Sequence, residues 1–235
     1  FNQTFAPFLF DYDNSNETIA QSVARAKQSI ASNGKRIVFF IGDPAMKLPL
    51  PKLGVQLSSI NDVPISQFKD TLKGLGKYKF KGQIVDANHQ RFQNFNGDLS
   101  AVVYDKRIER QTLGNDGTRL NGRLAILDFT TLGENLFRGK ASVENGGFEF
   151  EFVLPKDTRL PVDVGRVNFY SSRTGLLEDY NGFNNDILIG GINENAPEDN
   201  EGPLIELFMN DESFVNGGIT DNQPFILAKL EDQNG

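Results

Sequence analysis

The 235-residue sequence contains no cysteine, no tryptophan and a single histidine, His89. Without cysteine there is no disulfide framework, no thiolate metal site and no thiol nucleophile within these residues. One histidine excludes a multi-histidine zinc centre, and any serine–histidine–aspartate triad would have to use His89. No apolar run reaches the length of a membrane-spanning helix. Positive charge is also scarce: 24 Lys and Arg stand against 31 Asp and Glu, a net of −7. General binding to nucleic-acid phosphate needs a clustered cationic surface, so nucleic acid is not an expected partner. The acidity is concentrated at one end. Residues 193–235 hold ten acidic residues and one basic, a net of −9, leaving +2 for the rest.

What is present is enough apolar material for a core. Hydrophobic residues make up 38% of the chain, and 20 of its 25 aromatics are phenylalanine. The first segment reads as α/β. Asn14-Ser15-Asn16-Glu17 is a helix start, an Asx cap with a glutamate three positions on. Ile19, Val23, Ala26 and Ile30 then recur at helical spacing. Asn33-Gly34 supplies a left-handed stop. Ile37-Val38-Phe39-Phe40-Ile41 is a continuous apolar run, which predicts a buried strand of a parallel sheet. Leu48-Pro49-Leu50-Pro51 reads as an extended exit linker. The start at Phe1 and the stop after residues 230–235 predict a piece of a longer protein.

The pattern then changes to short alternating segments separated by Gly, Asn and Asp. Strands are predicted over 55–60, 77–85, 97–104, 124–127, 139–143, 147–154, 165–170 and 187–190, with one short helix near 66–71. Phe148, Phe150 and Phe152 alternate with Glu149 and Glu151, giving an apolar face and an acidic face. Asn145-Gly146 before them is a hairpin signal. Residues 197–203 have linker composition, and residues 204–209 and 225–230 read as first strands of another β unit. The expected fold is mainly β: an immunoglobulin-like antiparallel β-sandwich, preceded by a helix and a buried strand from an α/β domain. The expected domains are 1–52, 53–195 and 196–235.

Few residues suggest chemistry. His89 lies in the polar turn Asp86-Ala87-Asn88-His89-Gln90 and reads as a solvated loop histidine. Asp43 follows the apolar run in Gly42-Asp43-Pro44, where α/β sites collect, but it reads first as an Asx turn with Pro44 fixing φ. The stretch from Glu178 to Asp186 is rich in oxygen ligands around Gly182. Asp179, Asn181, Asn184 and Asp186 are therefore candidate ligands for calcium, which takes six to eight oxygens; the alternative is a hydrated loop. Phenylalanine-rich strands without tryptophan read as core rather than a carbohydrate platform.

Several stretches carry a resemblance. They include Phe1-Asn2-Gln3-Thr4-Phe5-Ala6-Pro7, Phe39-Phe40-Ile41-Gly42-Asp43-Pro44-Ala45-Met46, Leu136-Phe137-Arg138-Gly139-Lys140-Ala141-Ser142, Gly182-Phe183-Asn184-Asn185-Asp186 and Gly190-Gly191-Ile192-Asn193-Glu194. Through them the chain resembles the gingipain-like (C25-type) cysteine peptidases, in particular those acting as sortase of the type IX secretion system in Bacteroidota. The resemblance implies that 1–52 ends a caspase-like α/β peptidase domain, 53–195 is the adjoining β domain, and 196–235 begins the next. The family's catalytic dyad would lie upstream of Phe1. The parent would be a cysteine-type endopeptidase and transpeptidase, and this stretch alone would be inactive. The implied partners are a PorV-type outer-membrane barrel with other attachment-complex proteins, the C-terminal sorting domains of cargo, and surface lipopolysaccharide as acceptor. The implied location is the cell surface, associated with the outer membrane. Two other readings stay open: part of a secreted gingipain-type extracellular endopeptidase, and an adhesin or carbohydrate-binding sandwich.

Overall fold

The computed structural model describes residues 2–11, 17–31, 37–198 and 202–231. The chain divides into two compact units, Phe1–Lys52 and Leu53–Gly235.

The first unit holds two helices, α1 (Asn2–Leu9) and α2 (Ile19–Ser29). The observed helix cap lies four residues after the Asn14 cap that the sequence predicts. Thr18 is the cap: its hydroxyl accepts from the Gln21 N–H at 3.2 Å, and the Gln21 side chain accepts from the Thr18 N–H at 2.7 Å. Residues 14–16 and the Asn33-Gly34 stop lie outside the described residues. α2 buries Ser22 and Ala26. On its side toward α1, Arg25 stacks on Phe8, 4.3 Å from the ring centroid, and pairs with Glu17 at 2.9 Å. Removing the cap hydroxyl in Thr18→Ala should destabilise α2 by about 1 kcal/mol. Amide hydrogen exchange in the first turn of α2 should speed up accordingly; unchanged protection there would refute the cap.

The buried strand expected over residues 37–41 does not form. No ladder partner pairs with it among the described residues, and Ile37, Phe39 and Ile41 are 80%, 71% and 84% exposed. An apolar run becomes a buried strand only when neighbours supply hydrogen bonds and cover both faces. Here the Lys27 ammonium donates to the Val38 carbonyl at 2.7 Å.

The second unit is mainly β. After β1 (Lys52–Leu53) come β2 (Val55–Ile60), β3 (Val63–Pro64), β4 (Thr71–Gly74), β5 (Lys77–Ile84) and β6 (Gly97–Tyr104). Then come β7 (Ile108–Gln111), β8 (Arg119–Leu120), β9 (Arg123–Leu124), β10 (Asp128–Thr131), β11 (Asn135–Val143) and β12 (Gly147–Val153). The last six are β13 (Asp163–Val164), β14 (Arg166–Arg173), β15 (Asp179–Asn184), β16 (Leu188–Ile192), β17 (Leu204–Met209) and β18 (Ile226–Glu231).

One five-stranded sheet runs β1-β15-β14-β6-β11, antiparallel from β15 to β11, and a second, antiparallel throughout, runs β12-β5-β2-β3. Their facing sides form a sandwich core that includes Leu57, Ile60, Phe80, Leu99, Val103, Phe152, Val167 and Phe169. Phe80 meets Phe152 edge-on at 5.0 Å, and Phe137 of β11 stacks on Phe152 of β12 at 4.5 Å. Phenylalanine dominates here because two sheets packed about 10 Å apart need large, wholly apolar side chains between them. A smaller sheet, β13-β16-β4, adds one parallel pair, β16 with β4.

Three expectations change. Residues 66–71 form no helix: the Phe68 N–H donates to the Pro64 carbonyl at 2.9 Å, closing a single turn, and Thr71 begins β4. Asn145-Gly146 does form the predicted turn, with φ of 49° and 73° and both closing hydrogen bonds between Glu144 and Gly147 at 2.9 Å. The flanking strands then part, β11 joining one sheet and β12 the other. The outer face of β12 is not simply acidic. Register places Glu149 opposite Lys81 and Glu151 opposite Lys79. Ion pairs Lys77–Glu151 (2.8 Å), Lys81–Glu149 (3.1 Å) and Lys81–Asp62 (2.7 Å) neutralise it. The hydrogen bonds of Asp62 to Lys79 and Lys81 hold its carboxyl below the ordinary range.

Among the described residues β17 and β18 pair only with each other, and they leave Leu204, Ile205, Leu207, Ile226 and Leu230 exposed.

Candidate functional site

The residues singled out by sequence do not converge. His89 is exposed at φ 59° on a turn that Asp86 closes, its carboxylate accepting from the N–H groups of Asn88 (2.8 Å) and Gln90 (3.0 Å). Asp43 forms the Asx turn: its Oδ1 accepts from the Ala45 N–H at 2.9 Å and its carbonyl from the Met46 N–H at 3.1 Å.

The candidate calcium stretch is largely a strand rather than a loop. β15 alternates its side chains, so Asp179 and Asn181 share one face and Asn184 lies on the other. Asp179 accepts from the Tyr170 hydroxyl at 3.0 Å, and Asn184 Oδ1 accepts from the Asp186 N–H at 2.9 Å. Among the described residues no group of three or more His, Cys, Asp and Glu side chains is placed to hold a metal. The glycine in the stretch has a packing role. A Cβ on Gly182 would overlap the Val55 carbonyl oxygen, so β15 can lie this close to β2 only with glycine there.

The feature that sequence reading missed is the connection from β6 to β11. It leaves the sandwich as a β-ribbon arm. β7 pairs with β10 at its root and β8 with β9 at its tip, which turns through Asn121-Gly122 at φ 51° and 79°. Positive φ at both turn residues is what an Asn-Gly hairpin provides, so that dipeptide was the available signal. Leu113, Leu120, Leu124, Ile126 and Leu127 are 83%, 62%, 45%, 48% and 62% exposed along the arm. An apolar surface of this extent on a projecting element marks a contact region.

A buried ionic cluster fixes the arm's root. Asp105 and Lys106 are each 4% exposed. The Lys106 ammonium lies 2.8 Å from the Asp105 carboxylate and donates to the carbonyls of Arg159 (2.7 Å) and Ile189 (3.2 Å). Arg159 Nε donates to the other Asp105 oxygen at 2.6 Å, and its Nη2 to the Lys106 carbonyl. Burial alone would raise the Asp105 pKa; the hydrogen bonds from Lys106 and Arg159 outweigh it and hold the carboxyl below its ordinary range. The cluster ties the end of β6 to the 159 loop and to β16.

Beside it a cleft of about 210 Å³ opens, lined in part by Arg107, Asp163, Arg166 and Asn185. Burial, and then the nearby charge of Arg107, lower the pKa of Arg166. The Arg166 guanidinium stacks 4.5 Å from the Phe183 centroid, and its Nε donates to Asn168 at 2.5 Å. None of this is a nucleophile–base arrangement. The arrangement of these described groups is one that can bind and present.

No family model matches the chain, and no curated protein matches it in sequence. Among solved structures, sporulation control protein Spo0M from Bacillus subtilis aligns with 60% of this chain and 49% of its own, at 15% identity and a TM-score of 0.28, which carries no argument. The crystal structure of dimeric latent PorU from Porphyromonas gingivalis aligns with 96% of this chain at 25% identity and a TM-score of 0.62. This chain spans 22% of that PorU chain, and its fold is PorU-like over nearly its whole length.

Proposed function

We propose that the chain is the non-catalytic part that follows the catalytic dyad in a PorU-type sortase of the type IX secretion system. The observation that carries this is the alignment with PorU over 96% of the chain, in a sequence with no cysteine. In this reading the parent protein is a cysteine peptidase. Its thiolate attacks the carbonyl of the peptide bond at a cargo sorting domain; the C–N bond breaks, the sorting domain leaves as a protonated amine, and the acyl group on sulfur then passes to water or to an amine on surface lipopolysaccharide, freeing the thiol. Residues 1–52 then close the peptidase domain, 53–195 form the β domain beside it, and 196–235 begin the next. The site of action is the cell surface at the outer membrane.

The role we assign to these residues is docking. A rigid sandwich holds a projecting arm whose apolar side chains are exposed, and loops on rigid scaffolds present contacts to partners. A PorV-type barrel is the partner the reading implies.

The test shortens the arm in the full-length parent. Thr131 lies opposite Ile108 in the ladder, so a two-residue Asn-Gly turn can join them without disturbing the sandwich. The expected result is continued cleavage of cargo with loss of its retention at the cell surface. Normal surface retention by the shortened protein overturns the docking role.

A further inference from the structure

We infer that the cleft between Arg107 and Arg166 binds a phosphate monoester. Three observations place a dianion there. First, two arginines line a cleft of about 210 Å³, and among the described residues neither makes an ion pair with a carboxylate. Two guanidiniums held near each other repel, and an oxyanion between them removes the repulsion. Second, Arg166 is already oriented. Phe183 stacks under its guanidinium and Asn168 accepts from Nε, leaving the Nη groups as donors. Third, the two carboxylates in the lining are already engaged elsewhere. Asp105 is held by Lys106 and Arg159, and Asp163 accepts from the Val164 N–H, so neither is paired with Arg107 or Arg166. A phosphate monoester carries about −1.5 to −2 at pH 7, which suits two guanidiniums that lack a carboxylate partner better than a single carboxylate does.

The remaining lining suits such a ligand. Asn185 adds an amide at the rim, and Leu132 and Val164 offer apolar walls, 41% and 42% exposed, to the ester's carbon side. The Asp163 carboxylate already accepts from the Val164 N–H at 2.7 Å. The larger hollow on the arm, by contrast, sets a single arginine, Arg110, against Glu109 and Asp128. The inference does not rest on the proposed docking role.

The experiment is calorimetric titration of the 235-residue chain with inorganic phosphate, in parallel with sedimentation on phosphatidylcholine vesicles with and without phosphatidic acid. Saturable phosphate binding is expected, strengthening as pH rises through the second ionisation of inorganic phosphate, near neutrality. Arg107→Gln and Arg166→Gln should each weaken it about tenfold or more. Arg107 is exposed, so its variant keeps the fold even if the Arg166 variant does not. Arg110→Gln, on the arm outside the cleft, should leave it unchanged. Binding to phosphatidic acid vesicles with none to inorganic phosphate assigns the monoester to a lipid headgroup; the reverse assigns it to a soluble ester. Binding to neither probe, or equal weakening by Arg110→Gln, overturns the inference.

Discussion

Phe80→Ala should lower the unfolding free energy of the β unit by about 3–5 kcal/mol, one of the two largest effects expected of a single substitution in this chain. Phe80 is completely buried on β5, the middle strand of its pairing with β2 and β12. Register sets it opposite Phe150 on one side and Ile60 on the other. Its ring also meets Phe152 edge-on at 5.0 Å. Truncation therefore removes the transfer free energy of a phenyl group and leaves a void between two sheets. The ladder hydrogen bonds hold both sheets, so they cannot collapse to fill it. Phe80→Leu keeps most of the volume and should cost clearly less. Phe183→Ala is the control: that ring is 55% exposed, and its loss should remain within about 1 kcal/mol. Denaturant midpoints at constant m-value test the series. Equal costs for Phe80→Ala and Phe183→Ala would mean that the core does not lie between these sheets.

The same burial logic explains what could be read before the structure. β2, β5, β6 and β12 were legible because each alternates a covered and an open face. Phe148 and Phe152 point inward while Glu149 and Glu151 point outward, and period two has no other common cause. Residues 37–41 misled because an apolar run reports only that the segment wants cover; whether partners exist is tertiary information. The stretch around Gly182 misled in the opposite direction. Its oxygen-rich composition reads as a loop, yet the buried Tyr180 and the close approach of Gly182 to Val55 make it a strand. α1 carries Pro7 inside eight residues, a composition that argues against helix from sequence alone. At the arm, the Asn121-Gly122 turn was readable, but its flanking ladders are two to four residues long and mostly exposed. Short exposed ladders leave no alternation to detect. The cleft was invisible because Arg107 and Arg166 are far apart in sequence and meet only through the pairing of β14 with β6.

The buried Asp105–Lys106 pair should show the second large effect. Asp105→Ala leaves the Lys106 ammonium buried, still bonded to the Arg159 and Ile189 carbonyls but without its counter-charge. Removing one member of a buried pair costs about 3–5 kcal/mol because the surviving charge stays desolvated. Replacing both by apolar residues of similar volume, Asp105→Leu with Lys106→Met, removes the stranded charge as well. The double variant should therefore lose much less than the sum of the single losses, so a double-mutant cycle should show strong coupling. Additive losses would show that the pair does not act as a unit. The acid limb of stability provides a second readout. Folding lowers the Asp105 pKa, so its contribution is present above the ordinary aspartate value of about 3.9 and is lost as pH falls through the lower folded-state value. In Asp105→Asn that share of the acid dependence should vanish, and the stability profile should flatten below about pH 4. The arm is anchored where this cluster joins β6 to β16, so the Asp105 variants should also loosen its root. Faster amide exchange at the paired residues Ile108 and Thr131, with β5 and β12 still protected, is the expected pattern. Uniform loss of protection across both sheets would instead make the cluster part of the global core rather than the fastening of the arm.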